Sequence, residues 1–406
     1  MRIVVTGASG FIGKQLVPLL KARGCDLLLV GRKREILDNL FPGIATSSYS
    51  DFLKLANGFD CILHLAVLNN NQVADWDSFV RINADMPIEV CRKAKAAGIR
   101  TFVFISSTHA LELNDKTSYA ESKRLAVERL ATVEGIGRWV LYLPAVVGDQ
   151  LGGKLAVLNR FPTPFRRAAL EVLKAFKPTV HVSQLADTLR NLEPLEGDGI
   201  RNMIVTAGQG ENVVFSKAKR FVDLAFSLSI VALLWWAMIA IWVAIRLQSP
   251  GPGIFRQQRV GRNEEQFTCL KFRTMFASAP NVGTHEVPIS AVTPIGHFLR
   301  RTKLDELPQV INILRNEMSL VGPRPCLPNQ TDMILERRGQ GVFAIKPGIT
   351  GLAQVRGIDM SNPAGLAQCD REYLQLQSLG LDVKIIVETA TGAGSGDKIR
   401  GSNITP

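Results

Sequence analysis

Residues 221–247 read FVDLAFSLSIVALLWWAMIAIWVAIRL. Between Asp223 and Arg246 no charged side chain interrupts the run, and roughly 22 such residues make a helix long enough to sit in a bilayer. The alternative is the core helix of a soluble domain, but a soluble helix of this length keeps a polar stripe. Lys217, Lys219 and Arg220 precede the run; Arg246, Arg256, Arg259 and Arg262 follow it. Basic residues favour the cytoplasmic side of a membrane. A helix that enters one leaflet and turns back keeps both basic flanks on that side, so a re-entrant insertion is expected. A plain span stays open as the alternative, because no second long apolar run returns the chain.

Outward from this segment the chain divides. Its 406 residues suit two or three domains, and an apolar content of 46% suits globular domains plus one membrane element. The net charge is +12. About half lies thinly over residues 1–210, while the rest is concentrated at 217–273, beside the apolar run. Such a patch faces anionic headgroups or a phosphate-bearing substrate. It carries no interleaved aromatic platform, so no nucleic-acid partner is expected. Cys25, Cys61, Cys91, Cys269, Cys326 and Cys369 form neither CxxC nor a zinc spacing, which reads as reduced, mostly buried thiols. The chain opens on strand-like MRIVVTG rather than on a leader. The expected units are 1–210, a linker and membrane helix at 211–248, a second domain at 249–392, and a flexible tail at 393–406.

In the first unit, the strand Arg2–Val5 leads into TGASGFIG and a helix through Ala22. Gly7, Gly10 and Gly13 allow the tight turn, close approach of backbone N–H groups to a pyrophosphate, and helix–strand packing. A second strand is expected at 26–30. Gly31-Arg32-Lys33-Arg34 follows it, where an acidic residue would hold the ribose of NAD. The cation Arg32 suits the extra phosphate of NADP, with a solvated basic loop as the alternative. Further strands are expected at 61–66 and 102–106. Ser107 follows, then Tyr119 and Lys123 within YAESK, one face of a helix. A lysine beside a phenol lowers its pKa, and the phenol can then exchange a proton with a carbonyl or hydroxyl.

TGASGFIG, CILHLA, FISS, YAESKRLAVE and HVSQLADTL, in this order over residues 1–205, resemble the extended short-chain dehydrogenase/reductase family of nucleotide-sugar epimerases, dehydratases and reductases. The resemblance implies Ser107, Tyr119 and Lys123 as the catalytic trio, and a cofactor turn at Gly7, Gly10, Phe11, Ile12 and Gly13. Thr108-His109 stands where dehydratases of the family carry Asp-Glu, which argues against dehydration. Arg32 favours NADPH and hence reduction of a 4-keto sugar. A UDP-sugar 4-epimerase using NAD, or a silent nucleotide-binding module, stays open because the substrate lobe after Gly148 is short. The last strand of the unit is expected at 202–207.

Beyond the apolar run, SPGPG ends the helix and turns the chain. Asp305 and Glu306 are adjacent carboxylates among Arg300, Arg301 and Lys303, with Lys271, Arg273 and Arg324 as further phosphate-binding cations. Neighbouring cations are expected to keep both carboxylates ionised. A carboxylate can attack phosphorus, and a hard divalent cation can bridge carboxylate and phosphate oxygens. The plain alternative is a surface charge cluster at a helix start.

SPGP, QQRVG, KFRTM, LDELPQ, VGPRP and KPGITG, in order across residues 217–390, resemble the bacterial sugar transferases, the monotopic polyprenyl-phosphate phosphoglycosyl transferases. The implied fold class is α/β throughout: a doubly wound Rossmann sheet, then a membrane-embedded re-entrant helix carrying a small α/β domain. The implied partners are a UDP-sugar donor, a polyprenyl phosphate acceptor and membrane lipid at the cytoplasmic face of a bacterial inner membrane; a homo-oligomer is left open. Asp305 would be the nucleophile and a Mg²⁺ ligand. Glu306 would assist it, and Lys271, Arg273, Arg300 and Arg324 would contact phosphate. One departure bears on topology: the family breaks its helix at Ser-Pro, whereas this chain has Trp235-Trp236 and no proline between residues 220 and 249.

Overall fold

The computed structural model describes residues 1–195, 197–276 and 291–392, with no account of the side chains of Gly153 and Lys154. The expected flexible tail at 393–406 lies outside the described residues. Two compact units emerge, Met1–Leu173 with Lys177–Gly208, and Lys174–Phe176 with Gln209–Pro406.

The first unit is built on seven parallel strands: β1 (Arg2–Thr6), β2 (Asp26–Gly31), β3 (Ala45–Ser48), β4 (Cys61–His64), β5 (Thr101–Ser107), β6 (Gly137–Leu143) and, later in the chain, β9 (Ile200–Ile204). Their order is β3-β2-β1-β4-β5-β6 and then Ile200–Ile204. The inner strands β1, β2, β4, β5 and β6 are mostly apolar and buried, as a sheet covered on both faces requires, whereas the edge strands Ala45–Ser48 and Ile200–Ile204 are more polar. One face packs Val5, Leu16, Leu29, Leu63 and Leu185; the other packs Val4, Val30, Ile62, Phe102 and Val140. The order reverses between β1 and β4, and ligands of such sheets bind outside the carboxyl ends of the strands at this point. The last strand is Ile200–Ile204 rather than 202–207, because it pairs in register with Arg138–Tyr142 of β6. A short parallel pair, β7 (Ala145–Val147) with β8 (Thr179–His181), closes the C-terminal end.

The second unit contains the apolar run. Val213–Gln248 is one unbroken helix of 36 residues, about 54 Å long at the α-helical rise. The expected turn back inside the segment is absent. Its usual cause, proline, is missing, and the Ser227 hydroxyl is buried without a hydrogen-bond partner rather than bonded back to a carbonyl. Asp223, Ser227, Ile230, Leu234, Met238, Ile241 and Ile245 recur every three or four residues and are shielded, whereas Leu228, Leu233, Trp235, Trp236, Ile239 and Trp242 are exposed. The shielded stripe lies against the same α/β domain at both ends. Near the start, Lys219 Nζ donates to Asp382 (2.6 Å), Arg220 to the Ile313 carbonyl (2.7 Å), and Asp223 accepts from Ser319 and the Leu320 amide. Near the end, Met238 and Ile241 pack around a small core of Ile245, Phe272 and Leu299.

That domain has an antiparallel hairpin, β10 (Ile254–Val260) with β11 (Gln266–Phe272), and a short parallel pair, β12 (Ser319–Val321) with β13 (Gly348–Thr350). Six cysteines are free and buried, as reduced thiols in a packed interior should be.

Candidate functional site

The acidic pair stands on a single 3₁₀ turn, Leu304–Glu306. The helix Pro294–Thr302 leads to it, capped by the Thr293 hydroxyl on the Gly296 amide. Lys303 then adopts a left-handed conformation (φ 56°), which stops the helix and re-aims the chain. Leu304 and Leu307 flank the pair and pack around the Ile245–Phe272–Leu299 core together with Met238 and Ile241 of the apolar helix. The turn that carries the carboxylates therefore shares a small apolar core with that helix.

Glu306 faces two cations: Lys271 Nζ, from the end of β11, at 2.7 Å, and Arg324 Nη2 at 3.3 Å. Burial pushes its carboxyl upward, but Lys271, Arg324 and Lys303 overcome this and hold it down at about 2. For Asp305, burial dominates: it pushes the carboxyl up to about 6, against Lys271, Arg300 and Arg324 and assisted by the Glu306 charge. Both carboxyls thus lie below neutrality, in line with the expectation that they are ionised, but by different balances of burial and charge. Glu306 takes the cations, and Asp305 is a half-desolvated carboxylate that ionises just below neutrality.

Lys271, Arg324 and Arg300 reach this neighbourhood; Arg300 Nε also donates to Thr274 Oγ1 (3.0 Å). Arg273 does not. Its buried guanidinium donates to the carbonyls of Pro250 and Ser249 and to Ser249 Oγ, each at 2.8 Å. It ties down the chain leaving the apolar helix, because carbonyls there lack helical donors.

Two further arginines support the site: Arg259, which lies in QQRVG but is not among the expected phosphate contacts, and Arg337, which lies in no motif. Arg259, in β10, donates to the Pro325 carbonyl (2.9 Å), and burial with Arg324 nearby lowers it to about 10. Arg337 is fully buried, holds Asp370 Oδ2 at 2.7 Å, and donates to the Arg324 carbonyl (2.8 Å). The two glycine turns lock together behind Arg324. The Gly322 amide reaches Thr350 O (2.8 Å) and the Gly348 amide reaches Pro323 O (2.9 Å); a Cβ on Gly348 would stand 2.1 Å from Gly322 N.

Among the described residues there is no group of three or more His, Cys, Asp or Glu. Asp305 and Glu306 could offer carboxylate oxygens to a Mg²⁺ only if it took its other ligands from a diphosphate and water, the habit of this ion.

In the first unit, Gly7 has φ 74° and a Cβ there would lie 2.4 Å from Ala66 N, so only glycine fits. A Cβ on Gly13 would meet Ala8 O at 2.4 Å, which sets the close helix–strand packing. Gly10, at the start of the helix Phe11–Ala22, would meet only Gly7 O at 3.2 Å, and this open cradle fits a dinucleotide pyrophosphate. Phe11 is exposed and Ile12 half-buried. Arg32 is exposed just past β2.

Ser107 ends β5, and Tyr119 and Lys123 lie on the helix Ser118–Ala131. Burial raises the Tyr119 phenol and a hydrogen bond from Ser107 opposes the rise. Lys123 Nζ instead donates to the Ile105 carbonyl (2.8 Å) and lies 4.5 Å from the Phe104 ring centroid. Burial lowers it to about 7. The Lys123 ammonium is thus committed to the Ile105 carbonyl, and the phenol's hydrogen-bond partner is Ser107. Sequence reasoning also passed over His109 as a contact. Its ring meets that of Tyr119 edge-on at 6.4 Å, and Nδ1 pairs with Asp115 (2.8 Å). Asn83 bonds Leu68 O and Ser122 Oγ, each at 3.0 Å, fixing the loop beyond β4 to the Tyr119 helix.

Residues 214–394 match the bacterial sugar transferase family, and residues 3–133 match the NAD dependent epimerase/dehydratase family. A UDP-glucose:undecaprenyl-phosphate glucose-1-phosphate transferase of Caulobacter vibrioides is 35% identical over 218 residues, covering 50% of this chain and 82% of the relative. Transferases with the same description from Xanthomonas campestris and Escherichia coli are 39% and 34% identical; the aligned parts cover 40% and 49% of this chain but only 36% and 44% of those proteins. Among solved structures, MoeE5 in complex with UDP-glucuronic acid and NAD aligns with a TM-score of 0.41 at 18% identity, covering 51% of this chain and 77% of its own. The chain belongs to the bacterial sugar transferase family, as a phosphoglycosyl transferase fused to a short-chain dehydrogenase/reductase-type domain.

Proposed function

We propose that the second unit moves a sugar 1-phosphate from a UDP-sugar to polyprenyl (undecaprenyl) phosphate, the first step of a surface glycan. The observation that carries this is the turn holding Asp305 and Glu306, whose flanking Leu304 and Leu307 share a core with Met238, Ile241 and Ile245 of the apolar helix. An Asp305 oxygen attacks the β-phosphorus of the donor. The bond from that phosphorus to the bridging oxygen breaks, and UMP leaves with the electron pair. A phosphate oxygen of the lipid carrier then attacks the same phosphorus and frees Asp305, leaving a polyprenyl-diphosphate sugar. The elevated pKa of Asp305 suits a nucleophile, because a poorly solvated carboxylate is more reactive than a hydrated one. Lys271 and Arg324 hold Glu306 ionised beside it and draw the phosphates in, with Arg300 at the edge. Mg²⁺, held by Asp305 and Glu306, would supply neutralisation of diphosphate charge. UMP release should require the lipid carrier for turnover and stop in Asp305→Asn.

The helix also bears on topology. Asp223 and Ile245 are both held by one domain, yet lie about 33 Å apart along the helix. A straight span would put the bilayer between them. We infer a one-sided insertion in which the outer face, with Trp235, Trp236 and Trp242, meets lipid at the cytoplasmic face of the inner membrane. Cysteine accessibility on either side of Leu233 tests this; labelling of the two helix ends from opposite sides refutes it.

The first unit is read as the supplier of the donor, an NADPH-dependent reductase of a UDP-4-keto sugar. The turn of Gly7, Gly10, Phe11, Ile12 and Gly13 would hold the dinucleotide and Arg32 its extra phosphate, the cofactor supplying hydride. Tyr119 gives its proton to the carbonyl oxygen, Ser107 holds that oxygen, and Lys123 positions the helix through Ile105. NADPH oxidation driven by a UDP-4-keto sugar and lost in Tyr119→Phe supports the reading; tightly bound NAD with interconversion of 4-epimers replaces it by an epimerase.

A further inference from the structure

We propose that the helix Thr163–Phe176, which belongs to the first unit as far as Leu173, and the turn before it form a second membrane contact that rests on anionic lipid headgroups. Val157, Phe161, Phe165 and Val172 are 55%, 46%, 55% and 46% exposed. Isolated apolar side chains at a surface are ordinary; these are not isolated. Phe165, Ala168 and Val172 follow the three-to-four spacing of one helix face and all three are exposed. Phe161 extends the stripe, its ring 4.9 Å from that of Phe165. None of the four belongs to either core of the unit.

The charges identify the occupant. Between residues 157 and 173 the cations are Arg160, Arg166 and Arg167, and the sole carboxylate is Glu171. Lys177 adds a further cation just past the helix. A helix with an aromatic and aliphatic face and an arginine-rich remainder lies in the plane of a bilayer, its apolar face in the headgroup–acyl boundary. Basic residues beside it gain from anionic lipid. A buried protein partner would have to desolvate these guanidinium groups, whereas headgroup phosphates pair with them in place. The consequence is a first unit with a membrane contact of its own.

This inference rests on the reading that the chain resides at a bilayer, and the test separates the two. Phe165→Cys is labelled with an environment-sensitive fluorophore in the full chain; the native cysteines are buried, so labelling is selective. Exposed Glu134, replaced by cysteine, is the control. The chain is placed in nanodiscs of mixed phosphatidylglycerol and phosphatidylcholine, one copy per disc. The Phe165 label should emit to the blue and be quenched by a shallow spin-labelled lipid, while the Glu134 label does neither. Adding Arg166→Glu and Arg167→Glu should return the Phe165 label to the control emission. Failure of the chain to enter discs would overturn both readings. Entry with a solvent-exposed Phe165 label, or shielding that requires two copies per disc, would overturn this one alone.

Discussion

The two candidate centres bury ionisable groups in opposite ways. At Asp305–Glu306, burial is met by Lys271 and Arg324, and the adjacent carboxyls part to about 6 and about 2. Around Tyr119 and Lys123 no carboxylate among the described residues answers the buried amine. Lys123 falls to about 7 and the phenol rises, eased only by Ser107. Burial alone drives a group toward its neutral form, and the placement of a counter-charge decides which member of a cluster escapes. The transferase centre is thus charged and poised for phosphates. The other is close to neutral, as suits passing a proton to a carbonyl.

The largest expected break in this comparison is Asp305→Asn. Sugar-phosphate transfer should fall by roughly 10⁴–10⁶, the scale of losing a nucleophile, with nicotinamide chemistry untouched. Tyr119→Phe should do the reverse, costing roughly 10²–10⁴ in reduction and leaving UMP release intact; parallel assays of both activities on each variant check this. Asp370→Asn removes the carboxylate paired with buried Arg337. It should destabilise the second unit by about 3–5 kcal/mol and loosen Arg324, whose carbonyl Arg337 holds; denaturant unfolding and the KM for UDP-sugar measure the two parts. The smallest effect is with pH. Transfer should be full above pH 7 and fall about tenfold per unit below pH 6 as Asp305 takes up a proton. Because its folded pKa is raised, Asp305 itself stabilises the fold below its unfolded value near 4, and that contribution disappears as pH rises through about 6. Glu306 has the opposite sign: its contribution is present above 4.5 and lost as pH falls toward 2. Lys271→Met should push the pH midpoint of activity upward.

Local patterns carried much of this into the sequence. The glycine turn, with its strand and helix, is contiguous, and so is the acidic pair among cations. What depends on contacts between distant positions was not legible. Arg337 and Asp370 are 33 residues apart, and neither lies in a recognisable motif. Arg273 reads as a phosphate ligand because a cation within KFRTM looks the same whether it faces substrate or the carbonyls of Ser249 and Pro250. Tyr119 and Lys123 do share a helix face, but four-residue spacing leaves the long lysine free to turn toward Ile105 O. Basic flanks of the apolar run suggested a turn back. The missing proline was the better guide to helix continuity, and packing of both ends on one domain removes the need for a turn.

The central claim is a covalent Asp305 intermediate at the lipid surface. Incubating the membrane-reconstituted chain with UDP-sugar and Mg²⁺, without lipid carrier, followed by acid quench and peptide mass spectrometry, tests it directly. The account predicts UMP release limited to one equivalent and a phosphosugar adduct on the peptide containing Asp305, discharged by polyprenyl phosphate. UMP release that occurs only with the carrier present, with no adduct and with Asp305→Asn still active, would contradict it.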